Sequence, residues 1–247
     1  MHNRVCKSSQ YSLVFKSASV VYEVANYFLL KWKIAVVYYY YWDKDLIGFL
    51  SKLRIKRELL LTLTESMQLH NCAKAALKIK GDYAEVGVYK GGSAKVIAQV
   101  KGNNKKLHLF DTFAGLPSIS RQDKYFGKGE YMAPLHYAQR LLQGYSKIYF
   151  YPGFFPKTTI GLKTLKFAFV HLDVDLYEST KDALEYFYPR MSVGGMILSH
   201  DYPSSVGVRK AFDEFFKDKI ETVLKLSGNQ GLVVKRGSDF NSSSKLE

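Results

Sequence analysis

The hydrophobic pattern of the chain changes at about residue 80. Before that point helical spacing predominates, and an amphipathic helix is predicted over residues 59–80 with its end at Gly81-Asp82. Beyond it, short continuous apolar runs, which are typical of strands buried on both faces, alternate with helical patterns. The predicted strands are 83–89, 106–111, 147–151, 167–173, 194–199, 221–226 and 230–235. The predicted helices are 92–101, 133–143, 178–190 and 206–218.

This alternation predicts the fold class. Strands that alternate with helices form right-handed parallel βαβ units. Only residues 227–229 separate the last two strands, so these are expected to form an antiparallel hairpin. We therefore expect an α/β fold with a seven-stranded, mostly parallel sheet, a C-terminal antiparallel hairpin and an N-terminal helical extension. The predicted divisions are a helical extension or cap over 1–68, the main domain over 69–236 and a flexible tail over 237–247.

The composition is that of a soluble globular protein, with 47% apolar and 23% charged residues in 247. Cys6 and Cys72 lie far apart in sequence, which argues against a disulfide framework or a structural zinc site and fits a reducing compartment. Residues 1–10 lack the apolar core of a signal peptide. A cytoplasmic location is expected.

The net charge of +14 leaves three classes of partner open: nucleic acid, an anionic membrane surface and an anionic substrate. Residues 20–42 are rich in aromatic and aliphatic side chains, but Glu23, Lys31 and Lys33 interrupt them. The remaining uncharged run is shorter than the roughly 20 residues of a membrane-spanning helix. A core-packing helical cap is favoured; the alternative is peripheral membrane contact through this basic, aromatic N-terminal region.

A glycine-rich turn follows the first strand of the main domain. Gly87, Gly91 and Gly92 precede a helix whose free N–H groups can face a ligand. Their spacing is not G-x-G-x-x-G, which counts against the usual dinucleotide fingerprint. Glu85, inside the strand, is an acid suited to an ammonium group. A tight turn without any ligand remains an alternative.

The second strand ends in Asp111, 24 residues after Gly87. An acid at this position of such folds accepts hydrogen bonds from ribose hydroxyls. The loop that begins with Thr112 continues over the same edge of the sheet, where open α/β sheets bind ligands. The alternative for Asp111 is a purely structural turn cap.

Acidic side chains recur after two later strands. Asp173 and Asp175 follow the strand 167–173, and His200 with Asp201 follows the next strand. Parallel strands bring these ends together, and such carboxylates can bind a hard divalent cation. A histidine nitrogen shifts the preference towards softer divalent metals. The alternative is structural, with Asp175 capping helix 178–190 and Asp173 bonded to backbone only.

Several segments together resemble the macrocin O-methyltransferase (TylF-type) family. They cover residues 69–216 and comprise AEVGVYKGGSA, LFDTFAGLP, YPGFF, HLDVDLYESTKDALEYFYPRMSVGG, SHDY and GVRKAFDEFF. The resemblance implies a Rossmann-like class I methyltransferase that uses S-adenosylmethionine and a divalent metal, Mg²⁺ or Mn²⁺, on a sugar hydroxyl. Residues 1–60 carry no such resemblance.

The resemblance also assigns roles to individual residues. Asp173 becomes metal ligand and candidate base, with Asp201 as a second ligand. His200 stands where the family has a second acid, so it is assigned both to the metal and to catalysis, and metal dependence is open. The residues assigned to the cofactor are Glu85, Gly87, Gly91, Gly92, Ser93, Asp111, Thr112, Phe113, Gly153 and Phe154.

Three alternatives to this function remain at the level of sequence. Nucleic-acid methylation is suggested by the net charge, yet the [ND]PP[YF] motif of amino-group methyltransferases is replaced by residues 173–176 without proline. A nicotinamide-dependent oxidoreductase is disfavoured by the glycine spacing. A non-catalytic membrane-bound module would rest on residues 1–60. The favoured expectation is a sugar-containing acceptor, no nucleic acid, and a homo-oligomer.

Overall fold

The computed structural model describes residue 28, residues 43–117, residue 119 and residues 121–237. Expectations for residues 1–27 and 29–42, including membrane contact, and for the tail beyond 237 lie outside these residues. The described residues from Leu50 to residue 237 belong to one compact unit. The helices are α1 (Lys44–Ile55), α2 (Leu63–Ala75), α3 (Gly92–Lys101), α4 (Leu135–Leu141), α5 (Tyr177–Phe187) and α6 (Val206–Phe216). No helix in the described ranges has both the length and the apolar character needed to cross a membrane.

Seven strands form a single sheet in the order β3-β2-β1-β4-β5-β7-β6. They are β1 (Asp82–Val86), β2 (Leu107–Asp111), β3 (Ile148–Pro152), β4 (Phe167–Leu172), β5 (Met191–His200), β6 (Leu224–Lys225) and β7 (Gln230–Val234). The first five run parallel, and β7 is antiparallel to both of its neighbours. The predicted mostly parallel sheet with a C-terminal antiparallel hairpin is confirmed. The strand order reverses between β1 and β4, and such sheets form their ligand crevice at that point.

The strand register places the predicted site residues along one edge. Val86 pairs with Phe110 on one side and with Leu172 on the other, and Leu172 pairs with Ser199. Because each of these residues is at or next to the end of its strand, the residues that follow them emerge side by side. The glycine turn, Asp111, Asp173 and His200 therefore share the carboxyl edge of the sheet.

Aromatic side chains in the core pack against the strand ends that form this edge of the sheet. Phe110 contacts Phe155 with ring centroids 5.3 Å apart, and Phe155 stacks on Phe187 at 5.5 Å. All three rings are buried in a core that also contains Phe167, Val170 and Leu172 of β4. The side chains of the site consequently project from a closely packed base.

Several predicted boundaries are wrong by a few residues. Strand 83–89 ends at Val86, because Gly87 turns the chain with a φ of +86°. Strand 221–226 is reduced to Leu224–Lys225, whereas the strand predicted over 194–199 begins earlier, at Met191. Helix 178–190 runs from Tyr177 to Phe187 and then tightens into a 3₁₀ turn that contains Pro189.

The helix predicted over 59–80 begins later than its hydrophobic pattern suggests. Thr62 forms a capping box with Glu65, in which each side chain bonds the other's backbone N–H, and α2 starts at Leu63. Arg54 donates a hydrogen bond from Nε to the carbonyl oxygen of Leu61, 2.9 Å away. Residues 58–61 thus form a non-helical segment, and this segment contributes to the site.

Candidate active site

A cavity of about 280 Å³ lies over the carboxyl edge of the sheet. Most of the site residues predicted from sequence line it. They are Gly87, Gly92, Ser93, Asp111, Thr112, Gly153, Phe154, Asp173, His200 and Asp201. The structure thus brings the glycine turn, the β2 acid and the acid–histidine cluster into one space.

Backbone atoms of two other segments pack directly against the glycine turn. A Cβ at Gly87 would overlap the carbonyl oxygen of Asp173, and a Cβ at Gly92 would overlap the carbonyl oxygen of Glu58. These positions therefore require glycine for packing, before any ligand is considered. The same contacts place β4 and residues 58–61 directly against the turn.

Asp111 fastens the turn through its carboxylate. Its Oδ2 atom accepts hydrogen bonds from the N–H groups of Val88 at 2.6 Å and Tyr89 at 2.8 Å. Its Oδ1 atom accepts from the N–H of Phe113 at 2.6 Å. The structural role considered for Asp111 is therefore present. The carboxylate also borders the cavity, so contact with a ribose stays a prediction.

Three residues predicted to contact the cofactor do not line the cavity. Gly91 packs against Ala138 as the residue before α3, with a φ of +90°. Phe113 takes part through its backbone N–H, which bonds to Asp111. Glu85 does not line the cavity, because its side chain is fully buried in the protein interior, so its contact with a cofactor ammonium group stays a prediction.

Glu85 is instead half of a buried pair. Its Oε1 atom lies 2.8 Å from Nδ1 of His171, and both side chains are fully buried. Burial raises the pKa of Glu85, and the hydrogen bonds from His171 and Ser93 offset this only in part. Since Ser93 lines the cavity, Glu85 lies behind the cavity wall and supports it.

His200 is the centre of the acidic cluster. Its Nδ1 atom lies 2.9 Å from Oδ2 of Asp201 and 3.2 Å from Oδ1 of Asp173. Its Nε2 atom faces Oε2 of Glu65 at 3.8 Å. Carboxyl groups therefore approach both nitrogens of the imidazole ring.

This arrangement strongly favours a charged imidazole. Burial acts to lower the pKa of His200, but the charge and hydrogen bond of Asp173, together with the carboxyl groups of Asp201 and Glu65, raise it well above its usual range. Burial likewise opposes ionisation of Asp173, yet the charge of His200 outweighs it and lowers the pKa of that carboxyl. In this arrangement His200 holds its proton at neutral pH, while Asp173 is ionised.

Glu65 is a member of the cluster that sequence reasoning missed. Burial raises its pKa, but the nearby imidazole of His200 and hydrogen bonds from Thr62 and the backbone of Asn229 lower it to about 2. In the sequence, the Thr62-x-x-Glu65 capping box marks Glu65 as a residue at a helix start. It does not indicate that Glu65 lies close to His200 at the end of β5. Asn229 also donates a side-chain hydrogen bond to Asp201, which ties the C-terminal hairpin to the site.

The capping role expected of Asp175 is wrong. The N–H of Tyr177, at the start of α5, bonds instead to Oδ1 of Asp123 at 3.0 Å. Asp175 adopts a left-handed φ of +59° and lines the cavity together with Asp173 and Asp201. Desolvation and the charges of Asp173 and Asp201 raise the pKa of Asp175 to about 9.

Tyr131 also lines the cavity without any signal in the sequence. It has a left-handed φ of +57°, and its ring meets that of Tyr89 edge to face with centroids 6.3 Å apart. Desolvation and then the charges of Asp175 and Asp201 raise the pKa of Tyr131. The long loop before α4 therefore brings a phenol group close to the acidic cluster.

The acidic cluster is suited to a divalent cation. Asp173, His200 and Asp201 each offer one ligand atom, and these atoms lie within 4.8 Å of one another. Two carboxylates and one imidazole are a mixed oxygen and nitrogen set of the kind that binds transition metals. Binding through His200 requires the imidazole to lose its proton.

Comparison with known proteins now identifies the family. The profile of the macrocin O-methyltransferase (TylF) family matches residues 64–231, which include the whole sheet apart from the last residues of β7. The chain belongs to the macrocin O-methyltransferase (TylF) family. The TylF match begins next to the capping box of α2 and ends in β7, so all residues of the acidic cluster lie within it.

Named relatives of this TylF chain are O-methyltransferases of Streptomyces and Micromonospora species. The tetracenomycin-C rhamnosyl 4'-O-methyltransferase of Streptomyces olivaceus is 31% identical over 152 residues, or 54% of this chain and 58% of that protein. Mycinamicin III 3''-O-methyltransferase of Micromonospora griseorubida is 27% identical over 154 residues, or 54% and 61%. The match therefore spans about three fifths of the length of these relatives.

Solved structures agree with the TylF chain in fold. The O-methyltransferase NovP superposes with a TM-score of 0.67 at 21% identity and covers 73% of this chain and 83% of its own. The calicheamicin methyltransferase CalS11 gives a TM-score of 0.61 at 20% identity and covers 77% and 91%. The Rossmann-like methyltransferase fold expected from the sequence is confirmed.

Proposed function

We propose that this chain is an S-adenosylmethionine-dependent O-methyltransferase that acts on a hydroxyl group of a sugar or glycoside. The observation that carries the proposal is the single cavity bordered by the glycine turn, Asp111 and the acid–histidine cluster. Membership of the TylF family and the sugar-containing substrates in the names of relatives support it.

The cofactor would occupy the part of the cavity above β1 and β2. Asp111 would accept hydrogen bonds from the ribose hydroxyls, in addition to those that it accepts from the turn. The amino end of α3, at Gly92 and Ser93, would offer N–H groups to the methionine carboxylate. Phe154 lies beside the cavity on the β3 side and would border the adenine.

Asp173, His200 and Asp201 would hold the divalent cation. When bound, such a cation polarises an acceptor hydroxyl and makes its proton easier to remove. Because the His200 nitrogen departs from the all-oxygen set that Mg²⁺ prefers, we expect Mn²⁺ to bind more tightly than Mg²⁺.

The protein itself has two tasks in the methyl transfer. It must align the acceptor oxygen with the methyl group, and alignment of this kind can supply roughly 7–11 kcal/mol. It must also receive the hydroxyl proton, and a base contributes about 10²–10⁴-fold. The ionised Asp173 carboxylate is the base that we assign, with His200 as the group that holds it in place.

Titration calorimetry with S-adenosylhomocysteine, with and without Mn²⁺ or Mg²⁺, tests cofactor binding. Methyl transfer to extracts rich in sugars then tests the reaction. We expect Asp173→Asn to retain binding of S-adenosylhomocysteine but lose methyl transfer, while Asp182→Asn, in α5 and outside the cavity lining, retains both. If Asp173→Asn turned over normally, the assignment of base and metal would be wrong, and absence of cofactor binding would refute the function as a whole.

A further inference from the structure

A neutral side chain from the C-terminal hairpin contacts one of the carboxylates assigned to the cation. Asn229 lies in the short connection between β6 and β7, and its Nδ2 atom donates a hydrogen bond to Oδ1 of Asp201 at 2.5 Å. The antiparallel register pairs Gln230 with His200, which brings this connection to the carboxyl end of β5. Because an amide carries no charge, it can orient a carboxylate without neutralising it.

Asp201 depends on such contacts for its orientation. It follows the last residue of β5 and has a left-handed φ of +58°, a conformation that residues other than glycine keep only where the surrounding structure holds it. Its Oδ2 atom lies 2.9 Å from Nδ1 of His200, and its Oδ1 atom accepts the hydrogen bond from Asn229. Ser204 is a weaker partner, since its Oγ donates to Oδ1 at 3.4 Å from an exposed position. Asn229 is therefore the nearer donor to the oxygen of Asp201 that does not face His200.

The connection that carries Asn229 is fastened to α2. The backbone N–H of Asn229 donates to Oε1 of Glu65 at 2.7 Å, and the side-chain amide of Gln68 donates to the carbonyl oxygen of Ser227 at 3.1 Å. Gly228 packs so closely on Glu65 that a Cβ there would lie 2.7 Å from Oε1. These contacts use backbone groups of the hairpin, so replacement of the Asn229 side chain leaves them in place.

We propose that Asn229 is a positioning residue for the methyl transfer, which holds the carboxylate of Asp201 in the orientation that binds the cation. The inference rests on the proposed function and adds to it a residue from outside the cavity lining. A ligand group must be held within narrow limits of distance and angle to bind a metal, and its hydrogen-bond partners set those limits.

Removal of the side-chain amide tests this role. We expect Asn229→Ala to raise the Kd for Mn²⁺ about 10- to 100-fold, as electron paramagnetic resonance of free Mn²⁺ measures it. Asn229→Gln retains an amide donor and should recover part of this loss. In EDTA, both variants should bind S-adenosylhomocysteine as tightly as the unchanged protein does, because the cofactor is assigned to the part of the cavity above β1 and β2.

Ser227→Ala is the matched control. Ser227 lies in the same connection and is exposed, and the carbonyl oxygen that accepts from Gln68 is retained in alanine. We expect its Kd for Mn²⁺ to equal that of the unchanged protein. An equal loss in Ser227→Ala and Asn229→Ala would indicate a general disturbance of the hairpin and overturn the proposal, as would an unchanged Kd in Asn229→Ala.

The hydrogen bond can also be observed without a cation. In EDTA, an Nδ2 proton of Asn229 that bonds to a carboxylate should appear at higher chemical shift in a proton–nitrogen NMR spectrum than the proton of a solvated amide. We expect Asp201→Ala to move this signal to the range of solvated amides, while Ser204→Ala leaves it in place. A signal that lies in that range already in the unchanged protein contradicts the contact.

These measurements separate the inference from the proposed function. Normal binding of S-adenosylhomocysteine, together with an Asn229→Ala variant that binds Mn²⁺ normally, refutes the positioning role alone. Binding of S-adenosylhomocysteine by an unchanged protein that does not bind Mn²⁺ refutes the positioning role and the cation site, but leaves the cofactor site intact. Absence of S-adenosylhomocysteine binding refutes the proposed function and the inference that rests on it.

Discussion

The carbonyl oxygen of Asp173 lies against the α-carbon of Gly87, so that no side chain can be accommodated between them. Gly87 begins the turn after β1, and Asp173 follows the last residue of β4. The contact therefore joins the proposed cofactor site to the proposed metal and base site through the backbone. A change at Gly87 should disturb both sites at once.

We expect Gly87→Ala to reduce the free energy of unfolding by about 2–5 kcal/mol, as the sum of left-handed strain and overpacking against Asp173. Gly161→Ala is the matched control, because Gly161 has nearly the same φ, +83° against +86°, but open space around it. The control should lose only about 1–2 kcal/mol. Urea denaturation measures both, and equal losses would show that the contact with Asp173 has no energetic effect.

Asp111→Asn should weaken the turn and the cofactor site together. An amide keeps one acceptor oxygen, so hydrogen bonds from the N–H groups of Val88 and Tyr89, or from that of Phe113, are lost. We expect a loss of about 1.5–3 kcal/mol in stability, together with weaker binding of S-adenosylhomocysteine. The comparison is Asp213→Asn, since Asp213 accepts one hydrogen bond from Tyr202 away from the cavity. Weaker binding with unchanged stability would mean that Asp111 serves the ligand and not the turn.

Asp201→Asn should abolish binding of Mn²⁺. The proposed cation site rests on three ligand atoms that lie within 4.8 Å of one another, and replacement of a carboxylate by an amide would remove a charged ligand. Electron paramagnetic resonance of free Mn²⁺ measures the bound fraction, with Asp182→Asn as control. Unchanged Mn²⁺ affinity in Asp201→Asn would remove Asp201 from the proposed site.

The pH dependence of stability should reveal the ion pair of Glu221 and Lys235, which lies outside the proposed site. Oε1 of Glu221 accepts hydrogen bonds from Lys235 at 3.1 Å and from the backbone N–H of Arg236 at 3.0 Å, and Oε2 accepts one from Tyr188 at 2.6 Å. Burial raises the pKa of Glu221, but these hydrogen bonds outweigh it and lower the pKa below the ordinary 4.5. The stabilisation is therefore complete above that ordinary value and is lost as the pH falls through the lowered pKa.

Glu221→Gln should accordingly cost about 1–3 kcal/mol at pH 7, and the cost should decline in acid. Glu214→Gln is the control, because Glu214 is half exposed in a surface pair with Lys210 at 3.9 Å and should matter by less than about 1 kcal/mol. Denaturation of both variants from pH 7 down to pH 3 provides the comparison. A cost for Glu221→Gln that stays constant over this range would contradict a lowered pKa for this carboxyl.

Much of the fold was predictable because buried parallel strands leave a strong local pattern. The fully buried β4 is apolar except for His171, and its predicted range differs from the observed one by a single residue. Predicted helix boundaries are wrong where a local hydrogen-bonding motif outweighs the hydrophobic pattern. At Thr62, for example, a capping box starts α2 later than the apolar spacing suggests. The predicted length of β6 is wrong because both of its side chains are exposed, so burial does not specify where this strand begins and ends.

The candidate site was predictable only in part. Asp111, Asp173 and Asp201 were found because each comes at the end of a strand, and strand ends converge in a parallel sheet. Glu85 lies behind the cavity wall and not in it, because β1 is buried on both faces and the Glu85 side chain packs against His171. Asp175 resembled a helix cap in sequence, yet Asp123 from a distant loop occupies that role.

By itself, the sequence determined the strand and helix types, the resemblance to the TylF family and the row of polar residues at one sheet edge, since these depend on local patterns and on the order of elements. The tertiary structure decided which groups meet. It brought Glu65 and Asn229 to the acidic cluster around His200, and it brought Tyr131 to the cavity wall. Contacts between residues far apart in sequence produce these features, and no local pattern records them.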